Sequence, residues 1–160
     1  MKKPYLFLAA IAVAGLLPVA ASAAPSASGP GKPTVVLQFL DVTTSFSATF
    51  PDNRAPKFGD QFAFHDKIYR WNGPKRGALI GHADITALVI GPNLSRLSAV
   101  AYLPGGTLVI FGDNSLSARS QKLSVIGGTG IYATARGELT VRNIGGDNSN
   151  NSAVTVRLWM

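Results

Sequence analysis

The chain has 160 residues, with 15 Lys and Arg against eight Asp and Glu, a formal charge of +7 and no cysteine. Disulfide scaffolding, thiol chemistry and cysteine-based zinc sites are thereby excluded, and the scattered cations form no nucleic-acid footprint. With His65 and His82 as its only histidines, the chain is not expected to carry a built-in metal.

The first residues read as an export signal. Lys2 and Lys3 precede an apolar run from Tyr5 to Val19, and Ala21-Ser22-Ala23 supplies a small-x-small cleavage site, which gives a signal peptide over residues 1–23. The run is interrupted by Gly15 and Pro18 and is shorter than the roughly 20 residues a spanning helix needs, so no stable membrane insertion is expected after cleavage. The expected destination is the periplasm or the exterior. Residues 24–33 are Ala, Pro, Ser, Gly and Lys and read as a flexible leader. Residues 34–160 then suit one domain with a single core.

Short runs of period-two alternation, separated by Gly, Pro, Asn and Asp, predict an all-β domain. The predicted strands are Thr34 to Val42, Asp60 to Trp71, Leu79 to Ile90, Ser98 to Leu103, Thr107 to Phe111, Lys122 to Ile126, Glu138 to Asn143 and Ala153 to Trp159. Between Thr43 and Gly59, Phe46 and Phe50 are apolar anchors in a stretch broken by Pro51 and Pro56. Pro104-Gly105-Gly106 and Trp71-Asn72-Gly73-Pro74 read as hairpin connections. About eight sequential strands can close into an antiparallel barrel that holds side chains or one small ligand, with a two-sheet sandwich as the alternative. Thr107 to Phe111 and much of Ile85 to Ile90 are apolar on both faces, which points to cover by another subunit.

Parity selects the interior acids. Val35, Leu37, Phe39 and Asp41 share one face, and Phe62, Phe64, Asp66 and Ile68 share another, so both carboxyls are expected to point inward. A buried carboxyl must be paired, protonated or wet, which makes each an acid/base candidate, with a turn-capping aspartate as the plainer reading. Arg136 is the expected cationic partner, holding a carboxylate or polarising a guest oxygen; a structural salt bridge is its alternative. His82 and Asp84 alternate with Gly81, Ala83, Ile85 and Ala87, and either face can be the inner one. Tyr102, Tyr132 and Trp159 can stack on a guest or serve as packing. Glu138, Thr140 and Arg142 read as a solvated outer face with a cross-strand ion pair.

The stretch Gly127-Gly128-Thr129-Gly130-Ile131-Tyr132, closing on Ala135-Arg136-Gly137, resembles the signature of the dirigent and allene-oxide-cyclase barrel superfamily. Several further steps are similar to that pattern in chain order: Leu40-Asp41, Phe58-Gly59-Asp60, His65-Asp66-Lys67, Gly81-His82-Ala83 and Phe111-Gly112-Asp113-Asn114. The departures are Leu40 where plant dirigents carry a histidine, His82 where they carry an arginine, and the absence of their disulfide.

The resemblance implies an eight-stranded antiparallel barrel, often trimeric, with an apolar pocket and no cofactor. It implies an isomerase or cyclase acting on a small apolar or aromatic molecule, or a protein steering stereoselective coupling, by orientation and a few polar groups. Asp41, Asp66 and Arg136 are the expected catalytic residues, and Phe62, Phe64, His82, Tyr102 and Tyr132 the expected ligand contacts. A non-catalytic carrier and an interaction barrel with a filled interior are the alternatives, and a homotrimer or homodimer is the expected assembly.

Overall fold

The computed structural model describes residues 31–51, 54–73, 75–144 and 150–160; the expected signal peptide, most of the expected leader and residues 145–149 lie outside them. Eight strands run in chain order: β1 (Val35–Ala48), β2 (Gln61–Asn72), β3 (Lys75–Gly91), β4 (Leu94–Leu103), β5 (Gly106–Ser115), β6 (Ser120–Gly128), β7 (Arg136–Ile144) and β8 (Asn151–Trp159). Each pairs antiparallel with its sequence neighbour, and β1 pairs with β8, so the sheet closes into a barrel. Closure removes the two edges that a sandwich would leave exposed.

The observed strands are longer than alternation alone suggests. β1 continues to Ala48 through a bulge between Thr43 and Ser45, and the bulged Thr44 donates its hydroxyl to the His65 carbonyl at 2.9 Å. β3 begins at Lys75, because irregular register between Ile68 and Trp71 lets the β2–β3 hairpin twist beyond its regular ladder. A one-turn 3-10 helix, Gly130–Tyr132, links β6 to β7. At the leader boundary, the Trp159 indole donates to the Gly31 carbonyl at 2.6 Å, which lays residue 31 beside the last strand.

One end of the barrel is packed solid. Leu108, Val125, Val156 and Leu158 are essentially inaccessible there, and each such side chain contributes about 1.5–3 kcal/mol by leaving water. Tyr132 is buried with them and directs its hydroxyl to the Pro104 carbonyl at 3.4 Å. The glycine-rich turn crosses this end against the β4–β5 hairpin: a Cβ on Gly128 would collide with the carbonyl oxygens of Thr107 and Tyr132, and one on Gly130 with that of Gly105. The motif is thus a close approach of two backbones, which only glycine permits.

Candidate functional site

The other end is hollow. A cavity of about 220 Å³ lies inside the barrel, and small side chains make room for it, with Ala83 on β3 and Ala99 and Ala101 on β4 all turned inward beside Ile85 and Leu97. This decides the parity left open by the sequence of β3: the small face is inside, and His82 and Asp84 are outside. The cavity meets a surface depression of about 440 Å³ through Thr43, Phe64, Asn143 and Ser152, which line both, so its mouth is at the end opposite Tyr132.

Asp41 and Asp66 both line this cavity. In register Asp41 faces Ile68 and Asp66 faces Thr43, a diagonal step that brings the two carboxyls into a hydrogen bond. Asp66 is 3% exposed, and one oxygen of each carboxyl, Oδ1, has no hydrogen-bond partner among the described residues. Burial, then the hydrogen bond to Asp66 and the like charge there, push the Asp41 pKa from 3.8 up to about 9. A neutral Asp41 hydroxyl donating to Asp66 is the physical consequence, since two ionised carboxylates at this separation would repel in a medium that screens them poorly.

A polar arc extends from the pair. Ser152 on β8 donates its hydroxyl to Asn143 Oδ1 at 3.1 Å, so the remaining hydrogen-bonding capacity of the Asn143 side chain lies mainly in its donor N–H groups. Gln121 on β6 and Asn114 on β5 continue the arc around the wall. From β5 through β8 to β1 and β2, each of six neighbouring strands contributes a polar side chain to the lining, whereas β3 and β4 contribute only Ala, Ile and Leu. Sequence reasoning missed the amides. The signal was present, because Asn114, Gln121, Asn143 and Ser152 each continue an apolar row of inward parity, such as Leu108 and Ile110 before Asn114.

Above the acids, aromatic rings crowd one side of the mouth. Phe46 and Phe64 lie 5.1 Å apart between ring centroids, Phe62 is 6.1 Å from Phe64, and Phe50 meets Phe62 edge-on at 5.3 Å. The loop that carries Phe50 is tied by Arg54, whose guanidinium grips Asp60 through two hydrogen bonds of 2.6 and 2.8 Å and lies 4.7 Å over the Phe50 ring. Among the described residues, no group of three or more His, Asp or Glu converges as metal ligands.

Against this geometry, the family model for dirigent-like proteins matches residues 40–159. The chain belongs to the dirigent-like family. Solved structures agree at the level of the fold. A pyocyanin demethylase superposes with a TM-score of 0.66 at 16% identity, covering 78% of this chain and 100% of that one. An exo-specific intermolecular Diels-Alderase, AbnU, gives 0.64 at 16% identity over 78% and 95%. The pterocarpan synthase dirigent protein GePTS1 gives 0.62 at 20% identity over 78% and 82%. No curated protein matches by sequence.

Several expected site residues of this dirigent-like barrel lie elsewhere. Arg136 does not join the acids: it opens β7 with the outward parity of Glu138, is exposed, and donates to the Ala135 carbonyl at 2.8 Å. Leu139 and Val141 occupy the inner face of that strand, so alternation turns the guanidinium out. His82 and Tyr102 also lie away from the cavity; their rings stack on the outer wall with centroids 4.4 Å apart, beside the 2.7 Å His65–Asp84 pair. Tyr132 is core at the closed end. Phe64 lines the cavity, and Phe62 stands behind it at the mouth. The outer face of β7 carries the expected cross-strand pair, Glu138 with Arg157 at 3.1 Å.

Proposed function

We propose that this dirigent-like barrel is an exported, cofactor-free protein that binds a small, mainly apolar molecule and steers its cyclisation, isomerisation or stereoselective coupling. One observation carries the proposal: two hydrogen-bonded carboxyls project into a cavity whose β3 and β4 wall is apolar, each with an oxygen lacking a partner among the described residues. A barrel that served only as packing would gain stability by replacing them, since buried carboxyls without full hydrogen bonding are costly.

In this reading Asp41 is the proton donor and Asp66 the acceptor. A guest seated against Ala83 and Ala99 presents a basic oxygen that draws the Asp41 hydroxyl away from Asp66 and takes its proton, while Asp66 stabilises positive charge or takes a proton from a neighbouring carbon, and that proton returns to Asp41 through the hydrogen bond of the pair. The walls do the remainder by holding one conformer, so that the product's stereochemistry follows the shape of the cavity. Asp41, Asp66 and Phe64 form the working set, and Arg136 acts outside it. The tripartite N-terminal pattern of Lys2, Lys3, the apolar run and Ala21-Ser22-Ala23 supports export. Apolar side chains left on the outer wall, including Leu79, Phe111 and Ile126, support a homo-oligomer.

The test pairs binding with chemistry. Fluorescence of the neutral probe N-phenyl-1-naphthylamine is expected to rise with the wild-type protein and to stay flat with Ala99→Phe, which fills the cavity. Phenolic precursors coupled by an added one-electron oxidant, and prochiral polyenes that cyclise spontaneously, are then resolved on a chiral column. Enantiomeric excess with wild type and loss of it with Asp66→Asn supports steering; racemic products beside normal probe binding leaves a carrier instead.

A further inference from the structure

We infer that the interior selects uncharged guests that bear a carbonyl or hydroxyl on one edge and an apolar face on the other, and that it rejects carboxylates. This inference rests on the cavity being the binding site. Its first support is charge. Among the described residues no Lys or Arg lines the cavity or its mouth, while Asp41 and Asp66 both do. An anionic guest would lose its hydration, meet no counter-ion and face the acid pair.

The second support is the composition of the arc. Its members beyond the acids are Asn114, Gln121, Asn143 and Ser152, side chains that donate and accept hydrogen bonds but bring no net charge. Ser152 already donates to the Asn143 carbonyl oxygen, so toward a guest Asn143 can offer only its N–H groups. Opposite the arc, β3 and β4 offer only Ala83, Ile85, Leu97, Ala99 and Ala101, against which an apolar face loses water with no polar group to satisfy. A molecule with one oxygenated edge fits this split in a single orientation. That orientation brings its oxygen to the same side of the cavity as the Asp41 hydroxyl.

The test compares naphthalene, 2-acetylnaphthalene and 2-naphthoate at neutral pH by calorimetry and by displacement of N-phenyl-1-naphthylamine. Wild type is expected to bind 2-acetylnaphthalene more tightly than naphthalene, and 2-naphthoate more weakly than 2-acetylnaphthalene by on the order of a hundredfold. Gln121→Leu and Asn143→Leu are each expected to reduce the preference for 2-acetylnaphthalene over naphthalene by roughly three- to tenfold. The Asp41→Asn/Asp66→Asn double variant is expected to narrow the gap to 2-naphthoate at least tenfold. Naphthoate bound as tightly as the ketone, or amide variants that leave the ketone-to-naphthalene ratio unchanged, would overturn the selectivity while leaving the binding cavity in place. Failure of all three compounds to bind, or binding that survives Ala99→Phe, would overturn the cavity reading and this inference together.

Discussion

Phe46 pairs with Phe64 across β1 and β2 because one residue, Thr44, is bulged out of the ladder between them and the inward acids. Strict alternation from Phe39, Asp41 and Thr43 would put Phe46 on the outer wall. The bulge reverses parity, and the two rings come to 5.1 Å at the mouth, one layer above Asp66. Deleting Thr44 should therefore leave a regular ladder, in which Ser45 still faces His65 on the outside and Phe46 still faces Phe64 at the mouth. The expected outcome is naphthylamine binding within about threefold of wild type after the deletion, whereas Phe46→Ala, which removes the ring itself, should weaken binding. Loss of binding after the deletion would show that the bulge does more than set the parity of Phe46.

The raised pKa of Asp41 has a defined effect on stability. Its folded-state pKa of about 9 stands above the ordinary value of 3.8, so between those pH values the folded state holds a proton that the unfolded state has released. This contribution is full below pH 3.8 and is lost as pH rises toward 9. Asp60 has the opposite sign: its bond to Arg54, with help from the Lys57 amide, lowers it to about 2, and its contribution is lost as pH falls from 3.8 toward that value. Wild type should accordingly be most stable in mildly acidic solution. Asp41→Asn should flatten the alkaline limb of a melting-temperature profile and leave the acid limb intact, and an alkaline limb as steep in the variant as in wild type would remove Asp41 as its cause.

The same proton governs the proposed chemistry. If Asp41 donates it, stereoselectivity should persist through neutral pH and fall as pH passes about 9. Carbon-13 NMR of labelled aspartate should find one carboxyl titrating in that region, and its absence in Asp41→Asn makes the assignment. A selectivity profile that falls near pH 4 would mean that an ordinary, solvated carboxyl is responsible.

Gly128 stands where the turn presses against β5. Gly128→Ala would drive a Cβ into the Thr107 and Tyr132 carbonyl oxygens, two backbone atoms that cannot move aside cheaply. The expected cost is roughly 2–4 kcal/mol, read as a lower midpoint in urea unfolding. A midpoint equal to wild type would show that the closed end is looser than its packing indicates.

Arg136→Ala should do little by comparison. The side chain is exposed and, among the described residues, donates to its neighbour's carbonyl alone, so stability should change by no more than about 0.5 kcal/mol, and the Asp41 carboxyl should keep its titration position in the NMR experiment. An upward shift of the Asp41 titration midpoint on mutation of Arg136, the direction that loss of a nearby cation gives, would contradict the separation of the two sites.

Much of this molecule was legible from the chain alone. Eight alternating runs, tight Gly-containing hairpins and the glycine-rich signature specify an antiparallel barrel, because period-two burial and obligatory backbone approach are local properties of sequence. Alternation also placed Asp41 and Asp66 inside. The same rule, applied to Leu139 and Val141, would have put Arg136 outside; its place in the family motif outweighed that signal. Three things were decided only by the tertiary structure. The bulge at Thr44 sets which wall Phe46 joins, and a bulge leaves no mark in an alternating pattern. Ring closure brings Asn143 and Ser152 on β7 and β8 beside Asp41 on β1, residues about a hundred positions apart in the chain. The mutual hydrogen bond of Asp41 and Asp66 arises from register between β1 and β2, where a one-residue slip would have sent one carboxyl to solvent.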